Sequence, residues 1–175
     1  SNSTKLPTDA DVLGQLLNIV SKDLNFKNYK LVGNAIATIE KNIQPSGKCP
    51  TWLSDENFTQ EENENLFGNE CIGVMANLYY GLYLFDHARY KEIIQKGAEY
   101  ILNSYNEIIK GWVGSYYNKY YTFYLVSRLL NALGIQDERL SKAKSSILKN
   151  QNLNGSWNDS PQDTASILLA LNSFD

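Results

Sequence analysis

One unit recurs along this chain and constrains its fold most. An amphipathic stretch runs into a glycine turn that carries a tryptophan, and a stretch apolar on nearly every side follows. The last unit is the clearest. Leu140, Ala143, Ile147 and Leu148 mark one face of a helix. Asn154-Gly155-Ser156-Trp157 reads as the turn, and Thr164 to Phe174 as a second helix with Asp163 as its N-cap. In the middle unit Ile93, Ile94, Gly97, Ala98, Ile101 and Leu102 form the first helix. Lys110-Gly111-Trp112 is its turn, and Tyr121 to Leu133 its apolar helix, closed by Gly134. The first unit has Leu31, Ala35, Ile36, Ile39 and Ile43 on one face and is broken at Gln44-Pro45-Ser46-Gly47. Trp52, an acidic and Asn-rich loop from Ser54 to Asn65, and an apolar helix from about Asn69 to Phe85 complete it. A partial fourth unit precedes these, with Asp9 or Asp11 capping a helix through Val12, Leu13, Leu16, Leu17 and Val20.

Amphipathic helices have one face in water; helices apolar all round are covered on both sides. Alternating them along the chain predicts two helical layers, an outer amphipathic one and an inner apolar one. The expectation is a single all-α domain over residues 1–175, with at least six helices, no sheet, and the three tryptophans in equivalent places. A hydrophobic content of 43% over 175 residues supports a packed core and excludes a disordered chain.

A formal charge of −3 without a Lys/Arg cluster argues against a nucleic-acid partner. No apolar run reaches the roughly 20 residues of a membrane-spanning helix. The sequons at Asn2, Asn57, Asn154 and Asn158 are weak in so Asn-rich a chain. Cys49 and Cys71 match no zinc-ligand spacing; they read first as free or buried thiols, with one disulfide as the alternative. The twelve tyrosines crowd into the apolar helices and their approaches. Tyr79, Tyr83, Tyr121 and Tyr124 are the candidates to line a semi-polar binding surface. The alternative is an ordinary seam between packed helices.

Gln151, Gly155 and Trp157 match the QW motif of squalene and terpene cyclases, in which an outer-helix Gln precedes a Gly-x-Trp turn. Asp163-Thr164-Ala165 resembles the start of the next inner helix in that family. Gly111 and Trp112 fit the second turn without the Gln; Gln44, Gly47 and Trp52 fit the first with a longer turn. The chain therefore resembles, over about residues 30 to 175, the α/α toroid of terpenoid cyclases and protein prenyltransferase β subunits. Its three to three and a half units make a partial toroid.

The resemblance implies an isoprenoid or other hydrophobic small molecule as ligand. The family's chemistry is harder to find. No Asp-x-Asp-Asp acid is present, and Asp163 is the closest positional candidate. No Asp-Asp-x-x-Asp magnesium site occurs, and Asp55, Glu56, Glu61, Glu62 and Glu64 read as a solvated loop. Glu70-Cys71 sits where a zinc ligand would, but Tyr121 replaces the expected histidine and the single histidine, His87, lies at the far end of an inner helix. No metal or cofactor is expected. Two readings stay open beside a piece of an isoprenoid-processing enzyme. One is a non-catalytic binding or assembly module with a Tyr-rich inner surface; the other is a carbohydrate-active α/α barrel. Because three units do not close a ring, either the N-terminal helix near Asp11 to Val20 folds over the open edge, or a covering partner chain, a second copy or a further domain does; the covering chain or domain is the expectation.

Overall fold

The computed structural model describes residues 7–55, 59, 61–62 and 70–174. Six helices account for most of them: α1 Ala10–Val20, α2 Lys30–Asn42, α3 Ile72–Asn103, α4 Lys119–Ala132, α5 Glu138–Lys149 and α6 Pro161–Asn172. Asn69, Asn2, Asn57, Glu56 and Glu64, which the sequence reading used, lie outside the described residues.

The expectation of no sheet needs one correction. β1 (Thr8–Asp9) and β2 (Trp52–Leu53) pair antiparallel, Thr8 opposite Leu53 and Asp9 opposite Trp52. Ala10 then donates its N–H to Thr51 O at 2.9 Å. Two residues are too few to show a strand period, so the pair is invisible in the sequence. Its effect is to pin the start of α1 beside the segment that follows the first turn.

α1, α3, α4 and α6 pack side by side in that order. α1 crosses the first half of α3 at glycine: a methyl on Gly14 or Gly81 would strike the backbone of the other helix, Leu78 and Asn77 in one case and Gly14 in the other. α3 is not one rod. Asp86 leaves helical geometry (φ −161°, ψ 80°) and accepts the N–H of Arg89 at 3.1 Å, as an N-cap does. The Tyr79 ring occupies the space a side chain at Gly97 would need. Eighteen residues of straight helix would span about 27 Å, so the two halves fold back on each other and Asp86 is the joint of a helical hairpin.

The second half of α3 thus lies in a second row with α2 and α5. Glu40 of α2 pairs with Arg89 at 2.9 Å and accepts from Tyr90 Oη at 3.0 Å. Arg139 of α5 reaches Asn103 Oδ1 at 3.1 Å.

The first and last of the three turns from second row to first share a design. In the last, Asn152 N–H bonds Ser156 O at 2.8 Å, Gly155 N–H bonds Asn152 O at 2.9 Å, and Gly155 has φ +84°. In the first, Gln44 bonds Lys48 O at 2.9 Å, Gly47 bonds Gln44 O at 2.9 Å, and Gly47 also has φ +84°. In the middle, Asn106 and Gly111 exchange both backbone bonds. The residue after each turn is then Trp157, Cys49 and Trp112. Trp157 donates Nε1–H to Ile147 O at 2.8 Å, and Trp112 donates to Ile101 O at 2.6 Å. Each carbonyl lies two residues before the end of its helix.

Trp52 therefore does not share the place of Trp112 and Trp157; Cys49 does. The N–H of Trp157 bonds Thr164 Oγ1 and that of Cys49 meets Met75 Sδ, both on the fourth residue of the following helix. Trp52 is half-buried in β2, edge-on to Tyr116 at 6.3 Å. Cys49 and Cys71 are both buried and unbridged.

A tyrosine-lined candidate binding face

The site begins with a choice between two aspartates at the start of α1. Asp9 is the N-cap, accepting from the N–H of Asp11 at 2.8 Å. That leaves the Asp11 carboxylate for other work, and it turns into the packing, only 5% exposed. Gln15 donates to it at 2.6 Å from the next turn of α1. Asn77 Nδ2 of α3 donates at 2.7 Å, and Tyr117 Oη, just ahead of α4, at 2.8 Å. Three elements therefore meet on one carboxylate. Burial, then the bond to Asp11, hold the Tyr117 phenol well above the usual tyrosine range, so it stays a donor.

The network continues from Asn77 to Arg128 of α4, whose guanidinium donates to Asn77 Oδ1 at 2.5 Å. Its carbon stands 4.2 Å from the centre of the Tyr80 ring and 5.2 Å from that of Tyr124. Both distances suit cation–π attraction. The bond from Arg128 to Tyr124 Oη is long, 3.4 Å, and Arg128 Nε is buried without a hydrogen-bond partner.

Around this centre the tyrosines form a continuous aromatic surface. Tyr80 stacks on Tyr83 at 6.3 Å, and Tyr83 meets His87 at 4.8 Å. Tyr117 meets Tyr121 at 4.7 Å, and Tyr121 meets Tyr124 at 5.9 Å. Tyr80, Tyr83, Tyr117, Tyr121, Tyr124 and Arg128 are all half-buried. Helical spacing explains the alignment. Asn77, Tyr80 and Tyr83 follow at three-residue steps on the first half of α3, and Tyr121, Tyr124 and Arg128 form a stripe on α4.

Three of the four candidate tyrosines, Tyr83, Tyr121 and Tyr124, are brought together here. Tyr79 is not with them. It is closed off from solvent, with its ring against Gly97 and its hydroxyl 2.6 Å from Gly47 O, in the seam between the rows. In the sequence Asp11 looks like a helix cap, and neither Asn77 nor Arg128 stands out from its apolar helix. The i, i+3, i+7 spacing of Tyr121, Tyr124 and Arg128 was the signal available.

Asp163 lies at a second junction. It is the third residue of α6 rather than its cap; Ser160 caps the helix, accepting the Asp163 N–H at 3.2 Å, with Pro161 at the first position. Only 3% exposed, Asp163 accepts from Asn118 Nδ2 at 2.8 Å and Asn158 Nδ2 at 2.9 Å, one on each oxygen. It ties the start of α4 to the start of α6, each oxygen accepting from one carboxamide. Tyr117 and its neighbour Asn118 thus serve the two buried carboxylates in turn.

No protein-family model matches the chain, and no curated protein matches it. Among the described residues no three His, Cys, Asp or Glu side chains gather as a metal site would need. Glu70 pairs with Lys48 at 3.5 Å, and Cys71 is buried with its sulfur against Gly114. Gln151, of the QW-like segment, donates to Gly155 O at 2.9 Å and braces its own turn. Among the described residues no helix is long and apolar enough to cross a membrane.

Proposed function

We propose that this chain is a partial α/α toroid whose tyrosine-lined inner face binds a small organic molecule. The observation that carries this is the convergence of Tyr80, Tyr83, Tyr121, Tyr124 and Arg128 on one surface, tied through the buried Asn77 and Asp11 to three neighbouring helices, α1, α3 and α4. The toroid reading draws support from two features: first-row and second-row helices alternate, and one turn design recurs in the first and last units. The aromatic rings offer apolar faces and the phenols offer hydrogen bonds, which suits a ligand with both. An open edge fits the same reading. α1 bares Val12 and Ile19, and α6 bares Leu168 and Leu169, each more than half exposed. A covering chain or further domain belongs over such side chains.

A second reading is a piece of an isoprenoid-processing enzyme. The QW-like turn at Gln151–Trp157 favours it. In that case the acid or metal comes from outside these residues, because Asp163 is occupied by two carboxamides.

Titration with farnesol and with a panel of oligosaccharides, followed by tyrosine-ring resonances, tests the proposal. Binding should move Tyr80, Tyr83, Tyr121 and Tyr124 and leave Tyr79 still. Movement confined to other residues, or none with any compound, ends it. Turnover of a polyprenyl substrate by this chain alone would replace it with the enzyme reading, and Asp163 would be the first residue to substitute.

A further inference from the structure

We infer that the ligand of this face carries an anion, a carboxylate or a phosphate, and that Arg128 is its anchor. The inference rests on the binding-face reading above and adds the ligand's charge. Arginine is always ionised in a protein. Among the described residues Arg128 has no ion pair: the nearest carboxylate in its network, Asp11, reaches it only through Asn77. Of its five donors, one makes a short bond to Asn77, one a long bond to Tyr124, and Nε–H makes none.

A half-buried cation in that state is costly unless something completes it. The ring faces of Tyr80 and Tyr124 supply part of the compensation and also hold the guanidinium in one plane. What is left over is positive charge facing the tyrosine surface. Asp11 offsets part of that charge through Asn77, but among the described residues no carboxylate meets the guanidinium directly. Asp11 is enclosed, its oxygens taken by Gln15, Asn77 and Tyr117, whereas Arg128 is half-exposed. An approaching molecule therefore meets a cation framed by aromatic rings. Planar guanidinium groups match carboxylate and phosphate oxygens in pairs, and the flanking rings take an apolar or aromatic body.

The test uses the full chain and three small probes of one shape: benzoate, phenyl phosphate and neutral benzamide. Binding is followed by tyrosine-ring shifts and by the Arg128 Nε–H resonance of the unsubstituted protein, which needs no variant to fold. At least one anion should bind about tenfold or more tightly than benzamide and move the Nε–H resonance. Which anion wins separates a carboxylate ligand from a phosphate one. Arg128→Gln should erase the preference, and Arg128→Lys should keep part of it. Benzamide binding as tightly as both anions would overturn the inference and leave the binding face standing. An anion preference that leaves the Nε–H resonance still and survives Arg128→Gln would also overturn it. No binding of any probe would count against the face itself.

Discussion

The turns Gln44–Lys48 and Asn152–Ser156 have the same backbone hydrogen bonds and the same glycine conformation, yet they deliver different residues into the same place. One delivers Trp157, the other Cys49. What repeats is the backbone and the layer it joins, not the side chain. The indole of Trp157 fills the space behind its turn and satisfies the carbonyl of Ile147. Behind Cys49 that space is already taken. The Tyr79 ring lies there with its hydroxyl on Gly47 O, and Gly47 itself abuts the backbone of Lys96. The first unit fills the gap from the following helix; the third fills it from the turn.

The largest expected effects set the tryptophans apart. Trp112→Ala and Trp157→Ala should each cost about 3–5 kcal/mol in urea unfolding. Trp52→Ala should cost about 1 kcal/mol, the scale of a half-buried edge-on ring pair. Equal losses at all three positions would restore Trp52 to the repeat and break the comparison. The glycines sharpen it next. Gly47→Ala should cost about 3 kcal/mol, because a methyl there meets the Lys96 backbone as well as left-handed strain. Gly155→Ala has the same φ but meets no closer neighbour than a flexible Gln151 amide at 3.9 Å, so strain alone remains, about 1 kcal/mol.

The last comparison is one of protonation. Burial pushes the Cys49 thiol from 9.0 up to about 12, and burial raises the Tyr79 phenol as well. Both groups hold their proton more tightly in the folded protein. Their contribution is therefore complete below about pH 9 and is lost as pH rises toward 12. Alkaline unfolding followed by dichroism should show that window. Cys49 should also stay silent to a thiol reagent at pH 8 until the chain is unfolded.

The sequence made the helices and the glycine turns legible, because 3.6-residue periodicity and Gly/Pro punctuation carry that information. It misplaced the first unit because the reading followed tryptophan, and Trp52 lies three residues past the equivalent position. The binding face was half legible. Tyr83, Tyr121 and Tyr124 declared themselves by type. Asp11 was hidden behind its cap-like position, since either Asp9 or Asp11 suits a helix start and only the packing decides. Arg128 was hidden inside an apolar run. Asp163 looked like a cap for the same reason as Asp11, and Ser160 took the role.

The joint at Asp86 bears on how the chain folds in time. Most neighbouring helices here are tied by several residues of loop that must be closed before their faces meet. The two halves of α3 are separated by one non-helical residue. The entropy lost in bringing them together is therefore small, and the Tyr79–Gly97 contact spans only eighteen positions of sequence. Local contacts of this kind form early. The hairpin on either side of Asp86 should be the nucleus, with α1 and α4 docking onto it from opposite sides of the chain. Conservative truncations such as Ile94→Val or Leu82→Ala should then slow refolding, whereas truncations in α6 should mainly speed unfolding.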